Sequence, residues 1–354
     1  MKKRIVLFFL LLGFFFAACA SPNSKNAATQ PPNSSDTATA GTDSPGTPDS
    51  ALPDTGSDSE PQPAQKDAEL CRRYADAVPV VYMVKEITGQ SMLRLYQSLC
   101  TDLAGSRTAV YVAAGDPMGS DDLAPALLDS IVNYVGGTIV ISAASDDGSV
   151  SGTDRYAQAK EHGLTQIADV VVLDEHGSVP LSVTDGVHLQ EHQVGAHFPE
   201  YDGYLVISHF ASHPKTGFSG AVSSLSLGFS SAEGKRLLSS GGTDSADIPE
   251  GAHTVFLESM AEAGKSVSDA LNGNLLYINV LNHFQPGGTA MQDIGILACT
   301  DPVALDQACV DFIYMAKDSE AFVEVIEAQN AEYVLEHAEE VGLGNSAYTL
   351  VTIE

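Results

Sequence analysis

The sequence is poor in positive charge. It has 17 Lys and Arg against 46 Asp and Glu, a net charge of −29 over 354 residues. That balance argues against nucleic acid as a partner, because phosphates are met by a basic surface. Cysteine is scarce too, with five residues and no C-x-x-C. A local zinc-ribbon or iron–sulfur framework is therefore missing. There is no Walker A or GxGxxG fingerprint, no H-E-x-x-H, and no G-x-S-x-G elbow to support Ser-His-Asp catalysis. No internal repeat is visible. The apolar run at residues 5–16 falls short of the roughly 20 residues that a membrane span needs.

That run has another use. Lys2, Lys3 and Arg4 precede it, and Ala17, Ala18 and Cys19 follow it. A basic start, a short apolar stretch and small residues before a cleavage point describe an export signal. Cysteine directly after two alanines resembles a bacterial lipobox. The expectation is a signal peptide over 1–18 and lipidation of Cys19, which makes membrane lipid a partner and puts the protein on the extracytoplasmic face of a bacterial membrane. Each buried CH₂ of a lipid chain adds about 0.8 kcal/mol. Losing 1–18 removes Lys2, Lys3, Arg4 and no acid, which leaves 14 basic residues against 46 acidic and a net charge of −32. Residues 20–68 are rich in Ser, Thr, Pro, Asp and Ala and almost lack large apolar side chains. Such a segment buries too little surface to offset its ordering entropy, so a disordered tether is expected.

Residues 69–354 alternate short apolar runs with amphipathic ones. Strands are expected at 80–84, 108–114, 138–143, 170–173, 204–208, 275–281, 294–298 and 348–353. Helices are expected at 89–103, 121–135, 153–162, 254–271 and 301–315, followed by two acidic helices. Asp301-Pro302 reads as an N-cap and first turn. The alternation predicts an α/β domain with a mainly parallel sheet and flanking helices, in one body or in two subdomains divided near 175–205. Of the four remaining cysteines, Cys71 and Cys100 could pair in an exported protein, whereas Cys299 and Cys309 read as buried thiols.

The densest chemistry lies at 209–236, HFASHPKTGFSGAVSSLSLGFSSAEGKR. His209 and His213 stand four apart just after a predicted strand, where open α/β sheets place ligands. They could hold a divalent metal or be hydrogen-bonded structural histidines. The glycines of the run, Gly217 and Gly220 among them, could turn backbone N–H groups toward an anion or simply pack closely on the sheet. Lys215, Lys235 and Arg236 could meet an anionic ligand or serve as surface charges. His188, His192 and His197 form a second, weaker group. Asp293, before a predicted strand, and Arg155, after a Gly/Ser loop, are candidate site neighbours. Asp301 is explained by capping, and Asp306 and Asp311 lie five apart on a helix and point apart.

Several of these runs resemble the family called domain of unknown function 362: the 209–235 stretch, FLESMAEA (256–263), LYINV (276–280), DIGILACTDPVALDQACVDF (293–312) and VGLGNSAYTLV (341–351). The resemblance covers roughly 75–354. Members are often labelled iron–sulfur-centre proteins, and many carry ferredoxin-like cysteine motifs. The resemblance also implies His-Phe-Lys-Gly-His in the first run, a later Lys-Asn, and a Cys-Asp-Cys loop after the Tyr-Ile-Asn strand. This chain has Ala211 and Ser212, Ser223 and Ser224, and a cysteine-free 282–292 at those places. No iron–sulfur cluster is therefore expected. What remains is a binding protein for a metal or small anion at His209 and His213, or a scaffold lipoprotein that has lost the family's chemistry.

Overall fold

Apolar runs too short for helices become the strands of one sheet. The computed structural model describes residues 78–113, 123–143, 151–243 and 251–353. The signal segment 1–18, Cys19, the tether to residue 68 and Cys71 lie outside the described residues. Strand β1 (Val80–Val84) leads to helix α1 (Gly89–Ser98), whose cap Thr88 accepts a hydrogen bond from Ser91 N. Strand β2 (Thr108–Ala113), helix α2 (Pro125–Val135), strand β3 (Thr138–Ile141), helix α3 (Gly152–Glu161) and strand β4 (Val170–Val172) continue the alternation. An antiparallel ribbon, β5 (Ser178–Ser182) and β6 (Glu191–Gly195), follows. Strand β7 (Gly203–His209) then returns to the sheet, and a small hairpin pairs β8 (Ala211–His213) with β9 (Gly217–Ser219). An α-turn (Ala221–Ser223) runs into a π-turn (Ser224–Gly228) and helix α4 (Ala232–Ser239). Helix α5 (Ala252–Ala270), strands β10 (Leu275–Leu281) and β11 (Gly295–Cys299), helices α6 (Pro302–Met315), α7 (Glu320–Ala328) and α8 (Tyr333–Glu340), and strand β12 (Thr349–Thr352) complete the chain.

The sheet order is β12-β1-β11-β10-β7-β2-β3-β4. Every pairing is parallel except those that β11 makes with β1 and β10. The α/β class and the mainly parallel sheet are as expected. Strands on either side of 175–205 share this sheet, because β7 lies between β2 and β10.

Successive residues of a strand face opposite sides, so the sheet has two cores. Tyr82, Val110, Leu205, Ile207 and Ile278 pack with Met92, Leu95, Leu128 and Ile131 of α1 and α2. Tyr111, Tyr204, Val206, Tyr277 and Leu297 pack on the other side with residues of α5, α6 and the π-turn. Burial on both faces explains why β7 and β10 are apolar at successive positions, Tyr204–Ile207 and Leu275–Ile278, rather than at alternate ones. Burying one Leu or Ile side chain contributes about 1.5–3 kcal/mol. Asp301 caps α6 as the sequence implies, accepting N–H bonds from Val303 at 2.9 Å and Ala304 at 3.0 Å. Helix α1 is shorter than expected and stops at Ser98, and Cys100 takes a left-handed φ of 62°. Cys100 is disulfide-bonded. No helix among the described residues is long and apolar enough to cross a membrane.

Candidate functional site

From β2 the chain steps outward through β3 and β4, then returns to β7 on the other side of β2 and moves on to β10. The step direction thus reverses between β2 and β7, where open α/β sheets form a crevice at the carboxyl ends of their strands. Ala113 and Ser208 are paired at that end. Ser208 faces the π-turn, its hydroxyl 2.7 Å from that of Ser224.

His209, the next residue, turns toward β10. Its Nε2 donates to the backbone oxygen of Asn282 at 2.8 Å, which makes Nδ1 the acceptor nitrogen. Asn282 is buried, and the exposed His283 beside it takes a left-handed φ of 49°. The N–H of His283 donates to Asp293 Oδ1 at 2.8 Å. Two residues singled out separately, His209 and Asp293, therefore meet on one turn, with Asp293 and His283 open to solvent. Asn282 and His283 were missed as site residues. Their signal was available: Asn-His directly after a clear strand, two residue types that tolerate left-handed backbone.

The other candidates are placed elsewhere. His213 Nδ1 accepts the Thr216 N–H at 3.2 Å and lies 2.9 Å from the Thr216 hydroxyl. The two histidines thus bond to different groups, one just after β10 and one in its own hairpin. Arg155 is buried in α3, with Nη1 3.3 Å from Gln158 Oε1. It lies by Tyr111, whose pKa burial pushes up, with Asp174 adding to the rise and Arg155 opposing it. That is the β2–β4 side of the edge, not the β10 side. Lys215 is exposed in the β8–β9 turn, while Lys235 is half-buried in α4.

The glycine run does aim backbone N–H groups at an anion, and that anion is the protein's own. Ala221 N and Val222 N each donate to the buried carboxylate of Asp306 at 2.8 Å, and Asn279 Nδ2 adds a third bond at 2.7 Å. Burial raises the Asp306 pKa to about 6 against the pull of these bonds. A Cβ at Gly220 would lie 2.4 Å from Asp306 Oδ1, so only glycine admits this approach. Gly217 has a φ of +79°, and a Cβ there would lie 2.3 Å from that of Ala331. Close packing on the frame explains both glycines. Asp311 instead accepts from the Tyr348 hydroxyl at 2.7 Å, so the two acids do point apart.

The second histidine group is divided among separate partners. His188 Nε2 lies 2.5 Å from Glu258 Oε2, and Tyr333 donates to the other oxygen at 2.6 Å. His192 is buried between the hydroxyls of Ser266 and Ser230, at 3.0 and 2.8 Å. Burial lowers its pKa to about 4. His197 bonds to Glu200. Among the described residues, no three His, Cys, Asp or Glu converge to hold a metal ion. The described cysteines are not gathered for an iron–sulfur cluster either. Cys299 and Cys309 are free thiols fully buried in the core, their pKa values pushed up by that burial, and Asn279 Nδ2 lies 3.4 Å from the Cys309 sulfur.

No curated protein matches the chain. Among solved structures, it is similar to the lactate racemase apoprotein from Thermoanaerobacterium thermosaccharolyticum at 14% identity and a TM-score of 0.39, over 66% of this chain and 56% of that one. It is similar to a structural-genomics target protein from Thermotoga maritima at 10% identity and a TM-score of 0.39, over 71% of this chain and 58% of that one. The chain thus spans less than two thirds of either structure. The model of one family, domain of unknown function (DUF362), matches residues 115–311, from the segment after β2 to the middle of α6. With that match over more than half of its length, the chain belongs to the DUF362 family.

Proposed function

We propose that this DUF362 protein is a lipid-anchored, extracytoplasmic protein that binds a small ligand at the carboxyl ends of β7 and β10. The observation that carries this reading is the meeting of His209 and Asp293 on the Asn282–His283 turn, at an edge open to solvent. Imidazole and carboxylate there suit a divalent metal ion. The exposed His283 ring beside them offers a donor to a small anion. His209 is the central contact and Asp293 holds the turn. The basic–apolar–Ala-Ala-Cys19 start supports the membrane location. The reading is one of binding, with no nucleophile or base assigned.

One observation favours a second reading, a scaffold that has lost the family's chemistry. Ser223 and Ser224 stand where the resemblance implies Lys and Asn. Ser223 Oγ accepts from Gly220 N at 2.8 Å and donates to Gly220 O at 3.0 Å, and the Ser224 hydroxyl meets Ser208 and Gly220 O. Both side chains serve the frame. Thermal shift and equilibrium dialysis of the tag-free chain with Zn²⁺, Mn²⁺, phosphate and small carboxylates separate the two. A shift in the wild type that disappears in a His209→Ala/Asp293→Ala variant supports binding at this edge. No shift with any of these probes supports the scaffold.

A further inference from the structure

Two imidazoles face each other where the β5–β6 ribbon leaves the sheet. The ribbon pairs Ser178 with Gly195, and its ladder continues beyond the strands: Ala196 N donates to Gly177 O at 3.0 Å. The same register sets His176 opposite His197. Their ring centroids are 5.1 Å apart and the planes are inclined by 49°. His197 N also donates to Leu173 O at 3.1 Å, so its backbone is tied to the end of β4. The His197 ring is oriented in turn, because its Nδ1 lies 2.7 Å from Glu200 Oε1. With Nδ1–H donating to that carboxylate, the Nε2 of the neutral ring carries the lone pair. The His197 side chain is 20% exposed and that of Glu200 56%, and His176 is exposed.

We propose that His176 and His197 form a two-imidazole site for a borderline transition-metal ion, Zn²⁺, Cu²⁺ or Ni²⁺, with Glu200 as a positioning residue and water in the remaining coordination positions. Cross-strand neighbours have Cβ atoms about 4.5–5.5 Å apart. That spacing lets two rings each place a nitrogen at about 2.0–2.1 Å from one ion. Imidazole selects these ions over Ca²⁺ and Mg²⁺, which take oxygen ligands. A carboxylate on the far ring nitrogen fixes the tautomer and makes the ligand more basic. With two protein donors, the site is exchangeable and solvent-facing, unlike a closed structural site. It is separate from the His209 edge and does not depend on that reading.

The test is calorimetric titration of the full, tag-free, EDTA-treated chain with Zn²⁺, Cu²⁺, Ni²⁺ and Mg²⁺. It includes His176→Asn, His197→Asn, Glu200→Gln and His209→Ala/His213→Ala variants, with folding checked by melting in EDTA. This site is expected to take one Zn²⁺, Cu²⁺ or Ni²⁺ per chain, without Mg²⁺, over any ion held at the His209 edge. That ion is expected to be lost in either asparagine variant and kept in the His209/His213 variant. Glu200→Gln should weaken it by about 10–100-fold at unchanged stoichiometry. The Cu²⁺ paramagnetic resonance spectrum should show two nitrogen ligands in the wild type. If His176→Asn and His197→Asn bind as the wild type does, or the wild type binds none of the three ions, the proposal is overturned. Loss of binding only in the His209/His213 variant also overturns it and moves the metal to the other edge.

Discussion

Asp306 concentrates local order in a single side chain, because three donors from two other elements converge on it. Asp306→Ala leaves Ala221 N, Val222 N and Asn279 Nδ2 without this acceptor. A buried polar group left unsatisfied costs about 1–3 kcal/mol, so a loss of about 3 kcal/mol or more is expected in urea unfolding. A loss below about 1 kcal/mol would show that the carboxylate is not the anchor described. His192 makes a second prediction. Its folded pKa is depressed to about 4 from 6.5, so the unfolded chain takes up the proton first as pH falls. The stability it contributes is present above about pH 6.5 and lost as pH falls through 4, by about 3 kcal/mol at roughly 1.4 kcal/mol per unit. A His192→Gln variant should show a flatter dependence of unfolding free energy between pH 7 and 4.5; equal slopes would contradict the burial assignment. Neither role was legible in the sequence. The partners of Asp306 lie 27, 84 and 85 residues away, and spacing within a helix says nothing about what meets it from another element.

Among the elements, α5 holds the segment at 183–190 by one carboxylate. Glu262, buried in α5, accepts N–H bonds from Val187 at 2.7 Å and Leu189 at 2.8 Å, and His188 N lies 3.1 Å from both oxygens. His337 of α8 approaches the same carboxylate at 3.8 Å, and its pKa is raised first by that contact. Glu262→Ala is expected to accelerate amide hydrogen exchange at Val187, His188 and Leu189 by tenfold or more, since losing about 1.4 kcal/mol of protection is a factor of ten. Unchanged exchange at those three amides would rule out the clamp. The elements themselves were largely readable. The 80–84 and 275–281 runs became strands with those bounds because both of their faces are buried. The α-turn and the π-turn after it were not, because their small residues obey no period and take their shape from Asp306 and Ser208. The site was half readable. His209 and Asp293 stood out by residue type and position, but the turn that joins them depends on β10 and β11 being antiparallel neighbours, which no local pattern encodes.

For the whole molecule, the amino-terminal segment makes the prediction that bears on location. Replacing Cys19 with Ser should move the protein from the membrane fraction to the soluble fraction; retention would show that lipid at this residue is not the anchor. Another consequence follows from the place of β1, between β11 and β12. The first strand of the sheet waits for the last two. In a chain made amino end first, residues 80–84 have neither neighbour until residues 295–352 have been added. Folding of this flank is therefore governed by arrival time, and long-range closure of this kind is slow. A stop codon anywhere between β11 and β12 would leave β1 with a bare edge, and an unprotected edge recruits other chains. Truncation after residue 345 is thus expected to produce higher-order species in size-exclusion chromatography, turning the loss of a short terminal strand into a fault of assembly.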